Sequence, residues 1–327
     1  GYTLNEVLNC GYSNIYTFKN SSSEKTMDIT LSNTIRGLSE HINKNRVDLL
    51  IVHGDRVEAL AGAIVGALNN VLVGHIEGGE VSGTIDELIR HSVSKLSHLH
   101  FVANDIARKR LLQMGELGEN IFKIGSPDMD IMFSNKLPSI EKAKEKYDVF
   151  FENYSIIMFH SVTTEFENFH TYACNLVEVI LKMKENFIVI YPNNDLGSGD
   201  ILKAFLKFKK RNNIKIFPSI RFEYFLTFLK HSSKIIGNSS AGIREAPAYG
   251  VTTIDIGSRQ NSRHKAQSII NCGYEIKEIE QAIKKVGEIN FTPKNDFGEG
   301  NSDKLFLKTL KNENFWKTSK QKTFNDL

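Results

Sequence analysis

Short apolar runs alternate with amphipathic segments along most of the chain. The runs are rich in isoleucine and valine and end in glycine, serine, asparagine or aspartate, which is typical of buried strands that stop at a turn. They predict strands at 47–52, 71–76, 100–103, 122–124, 155–160, 187–192, 214–218, 234–240 and 251–258. Apolar residues at helical spacing predict helices at 57–68, 85–96, from the third strand through Leu112, and at 166–184, 201–211, 222–231 and 241–248.

Uninterrupted apolar strands that alternate with helices are typical of parallel sheets covered on both faces. Two such series predict an α/β chain with two Rossmann-like, doubly wound domains and a ligand cleft between them. The charged segment 134–153 lacks a strand signal, so we place the boundary there and assign an N-terminal domain to 1–146 and a C-terminal domain to 147–327. The lysine-rich end, 308–327, is expected to form a last helix and a tail that packs on the body.

Composition narrows the range of partners. Lys plus Arg number 41 and Asp plus Glu 38, a net charge of +3, so neither nucleic acid nor an anionic membrane surface is expected. No apolar run approaches the roughly 18 residues of a membrane span. The three cysteines, Cys10, Cys174 and Cys272, have no metal-binding or disulfide spacing. The first residues do not resemble a signal peptide, and we expect a reducing, cytoplasmic location.

Polar clusters follow many of the predicted strands. Because ligands bind beyond the carboxyl ends of the strands in doubly wound sheets, these clusters predict a single cleft between the domains. They are "HGDR" (53–56), "HIEGGE" (75–80), "FHSVTTE" (159–165), "YPNNDLGSGD" (191–200), "GNSSAGIRE" (237–245) and "GSRQNSR" (257–263).

Two of these clusters suit a phosphate. In 237–245, free N–H groups at a helix start and the hydroxyls of Ser239 and Ser240 favour an anion, and Glu245, one helical turn further on, suits a ribose hydroxyl pair. A plain helix cap explains the same residues. Arg259 and Arg263 suit a phosphate or diphosphate, although a solvated charged loop has the same composition.

Three carboxylates and one histidine are candidates for catalysis. Asp55 and Glu77 follow strands, Asp86 begins the next helix and His160 follows the first strand of the second half. Carboxylates crowded in a partly dry cleft acquire different pKa values and so provide an acid and a base. Asp86 could equally serve the helix dipole, and a lone histidine is often structural.

Metal and cofactor signatures are missing from the sequence. The spacing of His75, Glu77 and His91 matches no zinc motif, so no metal is expected. Neither a P-loop nor a G-x-G-x-x-G fingerprint occurs, and no cofactor is expected.

The polar segments, taken in order, resemble those of the hydrolysing UDP-N-acetylglucosamine 2-epimerases of sialic acid biosynthesis. The most specific string is "HIEGGEVSGTIDELIRH" (75–91), and "VHGDR" (52–56), "PNNDLGS" (192–198) and the other clusters accompany it. Related enzymes that act on a UDP-linked 2,4-diacetamido sugar for legionaminic acid have a very similar pattern. The resemblance covers nearly the whole chain.

The resemblance implies a glycosyltransferase B-type fold and a two-step reaction without metal or NAD. UDP and the C2 proton are eliminated, and water then adds to the glycal to give N-acetylmannosamine. It further implies a homodimer or homotetramer formed through the first domain, for which the apolar helix at 58–70 is a candidate contact, although burial in its own core would explain that helix equally.

The resemblance also assigns roles to individual residues. Asp55, Glu77 and Asp86 correspond to the catalytic carboxylates and His160 to a histidine in the cleft. The expected contacts to the UDP-sugar are Arg56, Arg90, Asn193, Asp195, Ser239, Ser240, Glu245, Arg259 and Arg263.

Two departures from the family pattern stand out. Relatives begin with a further strand, helix and strand, so we expect this chain to be a truncated form whose first domain lacks those elements. Ser161 occupies the position after the histidine where the animal enzyme has proline. Two rival functions stay open: a UDP-sugar transferase of the same fold and a non-enzymatic nucleotide-sugar sensor.

Overall fold

The computed structural model describes residues 4, 7, 8, 10–20, 26–82, 85–192, 197–261, 263–289 and 291–325. Within these ranges the chain forms two parallel sheets, one of four strands and one of six. The predicted α/β architecture with two Rossmann-like domains is therefore confirmed. The α-helices are Met27–Ile42, Val57–Leu68, Ile85–Leu96, Asp105–Gln113, Pro127–Met132, Ile140–Tyr147, Phe169–Lys182, Ser198–Phe205, Phe222–Lys230, Glu245–Tyr249, Ile276–Lys285 and Ser302–Leu310.

The first sheet follows chain order, β1-β2-β3-β4. Its strands are β1 (Leu49–His53), β2 (Leu72–Ile76), β3 (Leu99–Val102) and β4 (Ile121–Lys123). Helix Val57–Leu68 packs closely on this sheet. The space at Gly66 is so small that an added Cβ would lie only 2.4 Å from the Val73 side chain. Most small residues of that helix are buried within its own domain, and the oligomeric state stays a prediction.

The second sheet has the order β10-β9-β8-β5-β6-β7. Its strands are β5 (Ser155–Met158), β6 (Phe187–Ile190), β7 (Ile214–Phe217), β8 (Lys234–Gly237), β9 (Thr252–Ile256) and β10 (Ile269–Cys272). The winding direction reverses between β5 and β8, which pair in parallel. A crevice for ligands opens at such a switch point, beyond the carboxyl ends of the strands.

Some elements of the described chain depart from the predictions. Helices Met27–Ile42, Pro127–Met132, Ile140–Tyr147 and Ile276–Lys285 were not predicted. The sequence pattern missed β10, because this edge strand is short and its Asn271 is exposed. The predicted helix at 201–211 stops at Phe205 and continues as the 3-10 helix Leu206–Lys210.

The terminal segment crosses back to the first sheet. Phe306 and Phe315 pack on Phe101, with ring centroids 4.7 and 6.2 Å away. The last α-helix, Ser302–Leu310, lies mostly before the segment 308–327, which contains the 3-10 helix Glu313–Lys317. The domain boundary near residue 146 stays a prediction. Nowhere in the described ranges is a helix both long and apolar enough to cross a bilayer.

Candidate active site

Asn238 joins the loops that follow β5 and β8. Its Oδ1 accepts a hydrogen bond from the His160 backbone N–H at 2.6 Å, and its Nδ2 donates to the His160 carbonyl at 2.8 Å. The Asn238 carbonyl accepts from the side chains of Arg259 at 3.2 Å and Gln260 at 2.8 Å. This buried asparagine thus holds three of the predicted polar segments together. Sequence analysis overlooked it, because asparagine after glycine is typical of an ordinary turn.

Gly237 allows the strand to enter this loop. Its φ is +137°, and a Cβ there would lie 1.9 Å from the Met158 carbonyl oxygen. That same oxygen accepts a hydrogen bond from the Asn238 N–H at 3.0 Å. Only glycine satisfies both the backbone angle and the close approach.

The predicted helix at 241–248 is wrong. The chain forms the 3-10 helix Ser240–Gly242 and then a short α-helix, Glu245–Tyr249. Pro247 has no N–H to donate to the carbonyl four residues earlier, and Thr253 Oγ1 donates to the Gly242 carbonyl at 2.6 Å. Glu245 is therefore the first α-helical residue, instead of lying one turn in. No long helix starts at the serines, so the helix-dipole argument for an anion site fails.

The two serines nevertheless lie on the crevice loop. The Ser239 hydroxyl accepts a hydrogen bond from the Ala241 N–H at 3.3 Å, as the capping interpretation expects. Ser240 is partly exposed. Without a helix dipole, what Ser239 and Ser240 can offer an anion is the hydrogen-bond donor of each hydroxyl group.

Arg244 reaches from the second domain into the first. Its Nη1 donates to Glu80 Oε2 at 2.6 Å, and its Nη2 donates to Ser126 Oγ at 2.7 Å and to Glu77 Oε1. The guanidinium lies over the Phe297 ring, 4.8 Å from its centroid. This buried residue was missed in the sequence, where it is adjacent to the candidate Glu245.

Glu77 is the focus of this inter-domain contact. It has a φ of +67°, and it accepts hydrogen bonds from Ser126 Oγ at 2.6 Å and pairs with His53 Nε2 at 3.2 Å. Burial favours the neutral acid, but the Arg244 charge, His53 and Ser126 outweigh it and hold the Glu77 pKa well below its usual value. Glu77 is thus an anchored carboxylate anion.

Two neighbouring carboxyls behave in the opposite way. Burial, assisted by the charge of Glu77, raises the pKa of Glu80 and that of Asp128, and the Arg244 charge only partly offsets this. Asp128 Oδ2 lies 3.7 Å from Arg244 Nη2. Acidic groups with divergent pKa values in one cluster are the arrangement that acid–base chemistry requires.

A buried arginine, Arg90, pairs with Asp55 and lies on the same helix as Asp86. Arg90 Nη2 donates to Asp55 Oδ2, and Nη1 donates to Ser82 Oγ at 3.2 Å. Asp86 belongs to the first turn of helix Ile85–Leu96, four residues before Arg90 and so on the same helix face. Arg56, by contrast, is exposed.

The remaining candidates surround the crevice of the second domain. Burial, followed by the nearby Arg259 charge, lowers the pKa of His160 to about 3, so this imidazole is neutral at physiological pH. Burial raises the pKa of Glu245 to about 7, although the Arg244 charge opposes the rise. Asn193 and Asp195 lie outside the described residues.

Arg263 connects the two groups of charges. Burial lowers the pKa of Arg263 and the charge of Glu80 opposes this shift. The charges of Arg244 and Arg90 lower the pKa further, and that of Asp55 raises it. It lines an inter-domain cavity of about 290 Å³ together with Glu80. The buried site atoms without a hydrogen-bond partner in the described part of the chain include Glu80 Oε1, Arg90 Nε, Glu245 Oε2 and Arg263 Nε. Buried polar atoms rarely lack partners, so this region suits a polar ligand.

His75, in contrast, is fully committed to the fold. One ring nitrogen, Nε2, lies 2.9 Å from the Gly54 carbonyl and the other, Nδ1, lies 3.0 Å from Ser94 Oγ. Burial lowers its pKa to about 3, although the Gly54 hydrogen bond opposes the shift. In the described ranges, no group of three His, Cys, Asp or Glu side chains has an arrangement that could hold a metal ion.

The low pKa of His75 predicts a pH-dependent stability. The unfolded chain binds a proton near pH 6.5 and the folded chain near pH 3, so this contribution is complete above pH 6.5 and is lost as the pH falls towards 3. Between pH 7 and pH 5, the loss is about 2 kcal/mol. Denaturant unfolding should therefore show a smaller loss of free energy for His75→Gln than for the parent chain, and equal losses would contradict the prediction.

Comparison with known proteins agrees with the resemblance that the polar segments suggested. Residues 1–311 match the family described as UDP-N-acetylglucosamine 2-epimerase. A UDP-N-acetylglucosamine 2-epimerase of Neisseria meningitidis serogroup B is 48% identical over 331 residues, which cover 100% of this chain and 88% of that protein. A GDP/UDP-N,N'-diacetylbacillosamine 2-epimerase (hydrolyzing) of Campylobacter jejuni is 33% identical over 276 residues, 82% of this chain and 69% of that protein.

Solved structures agree on the fold. A UDP-GlcNAc 2-epimerase from Neisseria meningitidis, bound to UDP-GlcNAc, has a TM-score of 0.76 at 18% identity and covers 89% of this chain and 83% of its own. The enzyme from Methanocaldococcus jannaschii, in complex with UDP-GlcNAc and UDP, has a TM-score of 0.75 at 21% identity, with 88% and 82% covered. Together, the match over residues 1–311 and the 48% identity establish that the chain belongs to the UDP-N-acetylglucosamine 2-epimerase family.

Proposed function

We propose that this chain is a hydrolysing 2-epimerase that converts UDP-N-acetylglucosamine to N-acetylmannosamine and UDP for sialic acid-type sugar biosynthesis. The observation that carries the proposal is the contact between Glu77 and Arg244. It joins the acidic cluster of the first domain to the loop of the second domain that the family resemblance assigns to UDP. The 48% identical relative carries the epimerase name, and more distant relatives carry the word hydrolyzing.

The chemistry has two steps that suit these groups. A carboxylate, Asp55 or Glu77, takes the C2 proton, a C1=C2 double bond forms, and the C1–O bond breaks with its electron pair leaving on UDP. Water then adds across the double bond with assistance from Asp86. Its hydroxyl bonds to C1, and a proton bonds to C2 on the face opposite to the one from which the first proton was removed. The carboxyl cluster contains one group with a lowered pKa, Glu77, and two with raised pKa values, Glu80 and Asp128, a divergence that suits a base and an acid in one site.

The second domain supplies the leaving-group site in this proposal. Ser239, Ser240, Arg259 and Arg263 hold the diphosphate, whose developing charge the guanidinium groups stabilise, and Glu245 holds the ribose. Neutral His160 serves as a hydrogen-bonding group, because its low pKa leaves no proton to give as a cation. Arg90 keeps Asp55 in place.

Deuterium labelling tests the proposal directly. Incubation of the chain with UDP-N-acetylglucosamine in deuterated water should release UDP and N-acetylmannosamine that carries deuterium at C2, because the new C2 hydrogen comes from solvent. A non-hydrolysing epimerase would keep UDP attached to the sugar, a transferase would release neither product without an acceptor, and a sensor would give no turnover. Any of these three results overturns the proposal.

The substrate is tested in a parallel reaction. The UDP-linked 2,4-diacetamido sugar, which the names of the Legionella and Campylobacter relatives suggest, should be turned over less efficiently than UDP-N-acetylglucosamine. The reverse preference would assign the chain to legionaminic acid biosynthesis. A cytoplasmic location and a homodimeric or homotetrameric assembly stay predictions.

A further inference from the structure

Arg244 has an unusual position for a charged residue. It is buried between the domains, where it meets three carboxylates of the first domain, Glu77, Glu80 and Asp128. Its own chain segment belongs to the second domain. A single side chain therefore provides an electrostatic bridge between the two halves of the cleft.

We propose that Arg244 is a positioning residue that couples the approach of the two domains to the charge and orientation of Glu77. This inference rests on the proposed function, in which Glu77 is a candidate for the base. Arg244 touches none of the reacting atoms in this proposal and acts through the carboxylate that it holds.

The charges around Arg244 explain why Glu77 is the anion. Three carboxyl groups face one guanidinium in a buried cluster; burial raises the pKa of Glu80 and that of Asp128, whereas Arg244, His53 and Ser126 hold the pKa of Glu77 low. Nη2 of Arg244 contacts both Glu77 and the Ser126 hydroxyl that bonds Glu77. His53 pairs with the other Glu77 oxygen. Glu77 is thus the carboxylate whose two oxygens both have charged or polar partners.

The groups facing Glu77 come from four parts of the fold. His53 ends β1, Glu80 follows β2, Asp128 lies in the first turn of helix Pro127–Met132 and Arg244 precedes helix Glu245–Tyr249. Of these, only Arg244 belongs to the second domain. Separation of the domains would remove the cation and leave the carboxyls of the first domain to share protons among themselves.

Arg244 also shares its loop with the proposed UDP contacts. It is adjacent to Glu245, and its N–H donates to the Ser240 carbonyl at 3.0 Å. A ligand that fixes the conformation of this loop would also fix the Arg244 guanidinium in contact with Glu77. The segment that grips the leaving group is therefore the segment that prepares the carboxylate.

The test is the pH dependence of kcat/KM in Arg244→Gln and Arg244→Lys. Without the guanidinium, burial raises the Glu77 pKa, so the acidic limb of the profile should move to higher pH by about one to three units. Arg244→Lys keeps the positive charge but cannot bond Glu77 and Glu80 through two separate nitrogens. Its acidic limb should therefore lie between those of the parent chain and Arg244→Gln. UDP affinity and the unfolding midpoint show which variants are folded. If Arg244→Gln does not fold, the test is made with Arg244→Lys alone.

Two matched variants sharpen the result. Arg110 bonds the Gly79 carbonyl at 3.2 Å, so Arg110→Gln removes a nearby cation without touching a carboxylate and should leave the limb in place. Glu80→Gln removes a negative neighbour and should leave the limb where it is or move it to lower pH.

The outcomes separate this inference from the proposed function. Arg244 variants with reduced kcat but an unmoved acidic limb would have lost only inter-domain packing, and the inference would be overturned. An equal shift in Arg110→Gln would also overturn it, because any cation would then suffice. Failure of the parent chain to release N-acetylmannosamine overturns the proposed function instead.

Discussion

Asp55→Asn should lower turnover of UDP-N-acetylglucosamine by about 10²–10⁴-fold, the range typical of a lost acid–base group. The Asp55 side chain is partly exposed and pairs with a buried arginine, Arg90. Asparagine retains an oxygen that accepts from Arg90 but cannot take up a proton from carbon. The expected loss is therefore in kcat, while UDP affinity, which depends on the other domain, should change little.

Stability and a control variant complete this experiment. Asparagine leaves the buried Arg90 charge with a neutral partner, so the free energy of unfolding should fall by about 1–3 kcal/mol. Asp105 pairs with Lys123 on the surface at 2.8 Å, and Asp105→Asn should have parent-like kinetics. Parent-like turnover in folded Asp55→Asn would remove Asp55 from the mechanism and leave Glu77 as the base.

Gly237→Ala should cost about 3–5 kcal/mol of folding free energy, within the range for strain at a special backbone position. The new methyl group would lie 1.9 Å from the Met158 carbonyl oxygen, and the φ of +137° disfavours any side chain. Relief requires β8 and β5 to separate at their carboxyl ends. The bonds between Asn238 and His160 would then break, and UDP affinity should fall with stability.

A second glycine provides the matched control. Gly199 lies in helix Ser198–Phe205, and no described atom would come within 4 Å of a Cβ there. Gly199→Ala should leave the stability unchanged or raise it by up to about 1 kcal/mol, because alanine favours helices. Equal unfolding midpoints for Gly237→Ala and the parent chain, measured in denaturant, would contradict the strain argument.

The sequence predicted the cleft better than it predicted the contacts within it. Glu77 was a candidate because a carboxylate that follows an apolar strand needs a partner, and the structure supplies three: Arg244, His53 and Ser126. None of these partners was a candidate. Each lies far from Glu77 in the chain, and local patterning contains no information about such pairs.

The loop at 237–245 gives a similar comparison. Its position after a buried strand followed from the apolar run that ends at Gly237, and that position is correct. Its conformation was wrong, because Pro247 and the Thr253 hydroxyl act against a continuous helix. The proline was visible in the sequence, whereas the threonine approaches from the neighbouring strand.

By itself, the sequence determined that strands and helices alternate, that the sheets are parallel and that polar groups collect at the strand ends. Those properties depend on residue spacing within a few turns or strand lengths, which is encoded locally. Only the tertiary structure decided the order of the strands, the pairing of Arg244 with Glu77 and the directions in which the carboxyl pKa values shift. These depend on how two domains meet and on how much water they exclude, because burial and neighbouring charges, not residue type, set the pKa values.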